Sequence, residues 1–358
     1  MAIYPRGPGD RAVDPVTLQR VVTGIFAACG MSDEDAALLA GSLVASDRRG
    51  ILSHGVLRVP DYVKKMTHDG VDPRGRPMIV SDRGAAIVID GDNSMGQIGG
   101  TFAMRRAIER AGEIGLAFAA VRGSNHCGAM DWYTLMAAQA DMIGIAGTNA
   151  LPTMAPWGGV DKIVGINPLS IAMPTASGVP FVLDFAFGAT AHGKIRVYHQ
   201  KGSPIPEGWA FDADGHPTTD AGAALTGLIQ PIGQHKGVGL GMAIGMLSSL
   251  LSGAAYGTES GNMVDGARVG EDGHFFMAIN VAFFEDIDRF KARSDKVIDE
   301  VHASGRREGV ARLYVPGEIE ADLEAASGDG IYLPGTTIDD IIASGKALGA
   351  DTTALPAR

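Results

Sequence analysis

The sequence predicts a mixed α/β protein of the α+β type, with a sheet-rich middle and helical N- and C-terminal parts that pack together as one discontinuous domain. Three observations lead to this. Apolar residues recur with helical spacing through most of the first 50 positions; from 116 the chain turns to short apolar runs separated by Gly, Pro and Asn; helical spacing returns after 285. At 358 residues the chain exceeds the usual size of one compact domain, so more than one structural unit is expected.

Asp14-Pro15 opens the first helix, whose apolar residues repeat through Phe26 and stop at Gly30. Ser32, with Asp35 three places on, starts a second that ends near Gly50. SHGVLRVPDYVKKMTHDG follows as one short helical segment before Pro60 and another after it. AAIVIDGDN at 85–93 reads as a strand into a turn, and TFAMRRAIERAGEIG at 101–115 as an amphipathic helix. LAFAAV, MIGIAG, PLSIAMP, PFVLDFAF and GHFFMAINVAFF are the strands of the middle. DIDRFKARSDKVIDEVHASG and TIDDIIASGKALG are the closing helices, with turns at Pro316-Gly317 and Pro334-Gly335.

Lys and Arg number 30 against 41 Asp and Glu, a net charge of -11, and no basic run occurs. Nucleic acid and anionic membranes are therefore not expected partners. Two cysteines, Cys29 and Cys127, are too few for a disulfide framework, and MAIYPRGPGDRAVDP has no apolar signal-peptide core, so a reducing cytoplasm is the expected home. The uncharged stretch 237–258 is long enough to span a bilayer, but its many Gly and Ser residues predict a buried helix with close-packed neighbours.

Within FVLDFAFGATAHGKIRVY at 181–198, GATAHGK has the G-x-x-x-x-G-K spacing of a phosphate-binding loop. The hydroxyl that would hold magnesium is missing, because Ile195 follows Lys194. The informative residue is Asp184, a charge on an apolar strand that needs a partner or a task. In Ser53-His54-Gly55-Val56-Leu57-Arg58, a helix would place His54 and Arg58 four apart on one face. Arg58 could then grip a carboxylate through two parallel hydrogen bonds while His54 exchanges the proton of the neighbouring oxygen. A helix-start Ser with a surface His and Arg is the plainer reading. Gly123-Ser124-Asn125-His126-Cys127-Gly128 sets a polar cluster at a strand end, where ligand sites form, although a turn His with a local bond fits equally; Cys127 reads as a space filler. The nine His residues include no H-x-x-x-H pair, so no metal is expected. The G-x-G-x-x-G fingerprint is absent, its nearest variant, Gly239-Leu240-Gly241 with Gly245, lies inside a helical pattern, and an ordinary Rossmann domain is disfavoured.

ASDRRGILSHGVLRVPDYV, VDKIVGINPLSIAMP, VLDFAFGATAHGKI, HKGVGLGMAIGMLSSLLSG, GHFFMAIN and VPGE, in that order over roughly residues 15–335, resemble the type-2 malate/L-lactate dehydrogenase family. That family also contains ureidoglycolate and sulfolactate dehydrogenases and cyclic-imine carboxylate reductases. The resemblance implies a homodimeric oxidoreductase using NAD or NADP, with a non-Rossmann cofactor domain on a largely antiparallel sheet over 119–289. Residues 1–118 with 290–358 would form the helical, substrate-side domain. It further implies a relay of Ser53, His54 and Asp184, in which the carboxylate orients the imidazole, and Arg58 as the substrate carboxylate binder. His126 matches a histidine that some members use as proton acceptor, or that bonds the cofactor. Asp184-Phe185-Ala186, Lys236-Gly237 and Pro316-Gly317-Glu318 match dinucleotide-contacting segments. Phe187-Gly188 replace two hydroxyl residues common in the family, Gln234 replaces a small residue, and Cys127 stands where a larger or more polar residue is usual, which opens the substrate and the choice of NAD or NADP.

The expected chemistry is hydride transfer between a nicotinamide and C2 of a small 2-hydroxy or 2-keto acid, with His54 as the base because Arg58 fixes the acid beside it. Reduction of a cyclic imine carboxylate with NADPH is the alternative within enzymes. A catalytically inactive dinucleotide-binding protein is the alternative outside them.

Overall fold

The computed structural model describes residue 7, residues 9–200 and residues 202–356; the reading of the first six residues as free of a signal peptide lies outside them. The chain opens with β1 (Asp10–Val13), α1 (Pro15–Ala28) and α2 (Asp33–Arg48). Both helices begin where the caps predict: Asp14 accepts the Thr17 N–H at 2.8 Å, and Ser32 accepts that of Asp35 at 3.2 Å.

After α2 the expected helix over 54–58 is absent. Two single 3-10 turns, Leu52–His54 and Val56–Arg58, are separated at Gly55, whose backbone is extended (φ -88°, ψ -153°), before α3 (Val59–Thr67) begins. The break has a tertiary cause. Asp47, on α2 and only 4% exposed, accepts the Val56 N–H at 2.9 Å and presses so closely on Gly55 that a Cβ there would lie 1.8 Å from its Oδ1.

The centre is a seven-stranded sheet. Its members are β2 (Met78–Arg83), β3 (Ala86–Asp90), β4 (Leu116–Ser124), β5 (Met142–Thr148), β6 (Leu169–Met173), β7 (Phe181–Phe185) and β8 (Asp272–Asn280), in the order β2-β3-β4-β8-β5-β6-β7. Every pairing is antiparallel except β3 with β4. That parallel pair requires a crossover, supplied by α4 (Gly96–Ile114). Residues 78–114 thus belong to the sheet layer through β2, β3 and α4.

Side chains alternate along β8. Phe276 faces α4 and α5 (Asp131–Gln139) with Ile87, Ile89, Met104 and Tyr133; Phe275 faces the other layer with Ile244 and Phe187. On that second face lie α6 (His192–Gln200) and α7 (His235–Ser249). The stretch expected to be a buried helix over 237–258 is only half so. α7 buries Gly237, Val238, Gly241, Ile244 and Gly245, while Leu240 and Met246 remain 53% and 48% exposed, as are Leu250 and Leu251 beyond its end at 56% and 55%. Among the described residues no helix is long and apolar enough to cross a membrane.

The chain closes with α8 (Ile287–Ala303), α9 (Glu318–Ala326), β9 (Ile331–Pro334) and α10 (Gly335–Leu348). β9 pairs antiparallel with β1, Val13 opposite Ile331, so the two ends of the chain share one core in which Leu18, Ile25, Leu43 and Tyr62 meet Leu333, Ile338 and Ile341. Gly55→Ala should lower the unfolding free energy by about 1–3 kcal/mol, since the added methyl must displace the buried Asp47 carboxyl. A denaturant midpoint equal to that of the unmodified protein would contradict this packing.

Candidate active site

The break at Gly55 determines where His54 and Arg58 point. His54 is half-buried, with Nδ1 hydrogen-bonded to the Ser53 hydroxyl at 3.0 Å. Arg58 folds back: its Nε donates to the Ser53 carbonyl at 2.7 Å and one Nη reaches Asp61 at 3.3 Å. The His126 ring, from the loop after β4, lies parallel to that of His54, with centroids 5.7 Å apart and an interplanar angle of 11°. Residues 72 positions apart in sequence therefore share one site. Behind His126 stand two residues that sequence reasoning missed: the Tyr62 hydroxyl, 2.7 Å from Nδ1 of His126, and Gln97, whose Nε2 donates to Tyr62 at 3.0 Å.

This crowding sets the charge state. Burial, and then the nearby Arg58 guanidinium, bring the His54 pKa down to about 4. Burial lowers His126 well below its ordinary value, with further contributions from His54, Arg58 and His274. Two neutral imidazoles beside one cation can accept a proton and donate hydrogen bonds while the cation receives an anion. Cys127 is buried against Met130, Sγ to Sδ 3.6 Å, and its thiol is pushed up to about 12, in keeping with a space-filling role.

A cleft of about 510 Å³ opens beside His54, lined among others by His54, Asp131, Asp184, Ala186, Pro316 and Gly317; His126 and Arg58, expected at the cofactor and the substrate, lie outside its lining, His126 facing a small cavity beside Tyr62. The expected bond from Asp184 to His54 is not formed. Asp184 Oδ2 instead accepts the Asp131 N–H at 2.8 Å, with the Met130 N–H also bonded to it, at the start of α5, where backbone donors lack helical partners. Burial, and then the neighbouring Asp131 carboxylate, raise the Asp184 pKa to about 8. Asp131 is bound in turn by the buried Arg49 at 2.8 Å, whose Nη1 also reaches Glu324 at 3.1 Å.

Of the residues expected at the dinucleotide, Phe185, Ala186, Pro316 and Gly317 line the cleft with Asp184. Pro316 accepts the Val182 N–H at 3.0 Å, and Gly317, at φ +93°, comes so close to Val182 that a Cβ would lie 2.9 Å away. Glu318 turns aside: its carboxylate accepts the Val315 N–H at 2.8 Å and pairs with His302 and Arg312, so it fixes the turn. Lys236 and Gly237 sit at the start of α7 and are not part of the lining. Phe187, 1% exposed, packs in the core against Phe185, ring centroids 4.9 Å apart, and Gly188 is walled by Ile166 and Ile229. Lys194 lies over the Trp209 ring at 5.0 Å and Ile195 is fully buried, an arrangement unlike a phosphate loop. Asp212, Asp214 and His216 gather within metal-ligand distance, on a hairpin where the Asp212 carboxyl already accepts the N–H groups of Asp214 and His216.

Comparison with known proteins identifies the family and the fold. Residues 13–342 match the family described as malate/L-lactate dehydrogenase. The chain is 38% identical over 323 residues to the malate dehydrogenase of Pyrococcus abyssi, covering 88% of this chain and 87% of the relative. The structure of sulfolactate dehydrogenase from Methanocaldococcus jannaschii superposes with a TM-score of 0.90 at 37% identity, over 95% of this chain and 98% of that one. A Δ1-piperideine-2-carboxylate reductase from Pseudomonas syringae superposes with a TM-score of 0.84 at 27% identity, over 93% and 99% of the two chains.

The pH dependence follows from the charge state. His54, with its pKa brought down to about 4, is neutral at every pH above that value and becomes charged only as pH falls through it, so if it serves as base it is competent above that value. The acid limb of kcat/KM for oxidation should therefore lie well below the ordinary imidazole range. It should move up in Arg58→Met, which removes a positive neighbour. An acid limb near the ordinary histidine value, unmoved by that substitution, would contradict the assignment.

Proposed function

The chain belongs to the malate/L-lactate dehydrogenase family, and we propose that it transfers hydride reversibly between the nicotinamide of NAD or NADP and C2 of a small 2-hydroxy acid of the malate, lactate or sulfolactate kind. The observation that carries this reading is the stacked pair of neutral imidazoles, both held down in part by the Arg58 charge, of which His54 lines the cleft.

The residues fit the cofactor. The cleft volume is within the range of cofactor sites, and the close approach of Gly317 to Val182 leaves a wall of backbone and small side chains. Asp184, Phe185, Ala186, Pro316 and Gly317 would hold the dinucleotide along that wall, which supplies the hydride acceptor or donor when bound. Arg58 takes the substrate carboxylate with the guanidinium edge not occupied by the Ser53 carbonyl, and shares its charge with Asp61. His54 accepts the hydroxyl proton in oxidation and returns it in reduction, while the Ser53 hydroxyl fixes its ring. His126 lies parallel to His54 and addresses the same oxygen. Asp184 acts through α5, whose first N–H groups it binds, rather than through the His54 ring.

A second copy of the chain covering the exposed apolar side of α7 belongs to this reading, because Leu240, Met246, Leu250 and Leu251 form a patch that a lone protein rarely leaves in water. Sedimentation that returned only a 37.1 kDa particle would remove it. The reducing cytoplasm expected from the cysteine content fits Cys29 and Cys127, which are both free thiols. Reduction of a cyclic imine carboxylate is the competing activity, favoured by the likeness to the Pseudomonas syringae reductase.

A panel of 2-hydroxy acids, 2-keto acids and Δ1-piperideine-2-carboxylate with each cofactor, followed by the absorbance of the reduced nicotinamide, separates these readings. Turnover is expected with a hydroxy acid, falling by roughly 10²- to 10⁴-fold in His54→Ala. In Arg58→Lys mainly KM should rise, because a point charge cannot make the two-pronged contact. Dinucleotide binding without turnover on any compound would point to an inactive binding protein, and full activity of His54→Ala would overturn the role of His54.

A further inference from the structure

The hydrogen bonds behind His126 determine which of its nitrogens carries the proton. Two groups converge on Nδ1: the Tyr62 hydroxyl at 2.7 Å and the backbone N–H of Gly128 at 3.4 Å. A hydroxyl can turn either way, but a backbone N–H can only donate, so Nδ1 presents a lone pair and the proton of the neutral ring sits on Nε2. The remaining bonds follow from that one. Tyr62 must donate to Nδ1, its oxygen then accepts from Nε2 of Gln97, and the amide cannot be turned over without setting a carbonyl against an oxygen whose proton points elsewhere. Gln97 is 1% exposed, and its Oε1 is left buried with no partner. An orphaned carbonyl of this kind costs stability, which marks the donor end of the amide as the functional one.

We infer that Tyr62 and Gln97 are positioning residues that hold His126 as its Nε2–H tautomer, so that His126 donates a hydrogen bond to the C2 oxygen of the substrate and does not take the proton. The hydroxyl proton then goes to His54, the hydride leaves C2 for the nicotinamide, and His126 keeps its own proton throughout. The Tyr62 hydroxyl is no relay for a second proton, because burial raises its pKa far above the ordinary phenol value. The charged and titratable groups around His126 favour the neutral ring: His54 and Arg58 from the segment between α2 and α3, and His274 on β8. Lys65 and Asp272 line the small cavity on the Tyr62 side. A donor fixed in advance at the oxygen stabilises the charge that develops there without reorganising in the transition state.

The tautomer is read without substrate, and only the role toward the C2 oxygen rests on the dehydrogenase reading. The test is a long-range proton–nitrogen correlation spectrum of the full chain labelled with ¹⁵N-histidine, over about pH 6–8, with the His126 signals identified by their loss in His126→Gln. Protonated Nε2 with bare Nδ1 is expected throughout; an Nδ1–H tautomer or an imidazolium would overturn the inference. In Tyr62→Phe only the long Gly128 bond at 3.4 Å is left on Nδ1, too weak to hold the tautomer alone, so an Nδ1–H fraction should appear and kcat should fall about tenfold with little change in KM. An unchanged His126 spectrum in that variant would overturn the positioning role of Tyr62. If the unmodified enzyme turned over no acid at all, the role toward the C2 oxygen would fail while the spectrum still decided the tautomer.

Discussion

The constraint on which the site depends is that two imidazoles and a guanidinium are brought together out of bulk water. Burial first, and then the neighbouring charges of which Arg58 is one, disfavour the protonated form of His54 and of His126, so both rings stay neutral near pH 7. A single fixed cation beside two neutral, hydrogen-bonding rings is complementary to a small acid with an oxygen next to its carboxylate. The neighbouring polar groups supply hydrogen bonds without adding a second cation: Ser53 to one ring, Tyr62 and the Gly128 N–H to the other.

The rest of the fold sustains this arrangement from a distance. Asp47 reaches under the loop from α2, interrupts the helix at Gly55 and so turns His54 toward the cleft. Asp184 receives the first N–H groups of α5 and abuts Asp131, which Arg49 neutralises, so that the buried Arg49 and Asp131 and the half-buried Asp184 join the end of α2, α5 and the edge strand β7 across the cleft floor. Removing one member of such a network would strand the charge of another in a low-dielectric site. The pairing of β1 with β9 brings the C-terminal segment back to the N-terminal helices, and the bond from Val182 to Pro316 seats that segment against the sheet edge.

What was legible in the sequence was local. Asp14 and Ser32 announce their helices by capping chemistry, and the strands around Ala119, Ile145, Ile171 and Phe276 are short apolar runs between Gly and Pro. His54, Arg58, His126 and Asp184 stand out because each is a charge or an imidazole among small or apolar neighbours. The contacts between distant residues could not be read in the same way. Nothing local to Gly55 reveals that Asp47 will break the helix there, and the spacing of β3, α4 and β4 does not say that the pair is parallel within the central sheet. Tyr62 and Gln97 resemble core and helix-start residues until the fold sets them behind His126. Asp184 stands out in the sequence as a charge with a task, but its partner is the start of α5 and not the imidazole.

The most direct measurement is a crystal structure of the protein with reduced cofactor and oxamate, an unreactive analogue of a 2-keto acid. The account predicts the oxamate carboxylate on Arg58, its C2 oxygen within hydrogen-bonding reach of both His54 and His126, and the dinucleotide along Ala186, Pro316 and Gly317. An oxamate carboxylate held elsewhere, or a C2 oxygen turned away from both imidazoles, would contradict it.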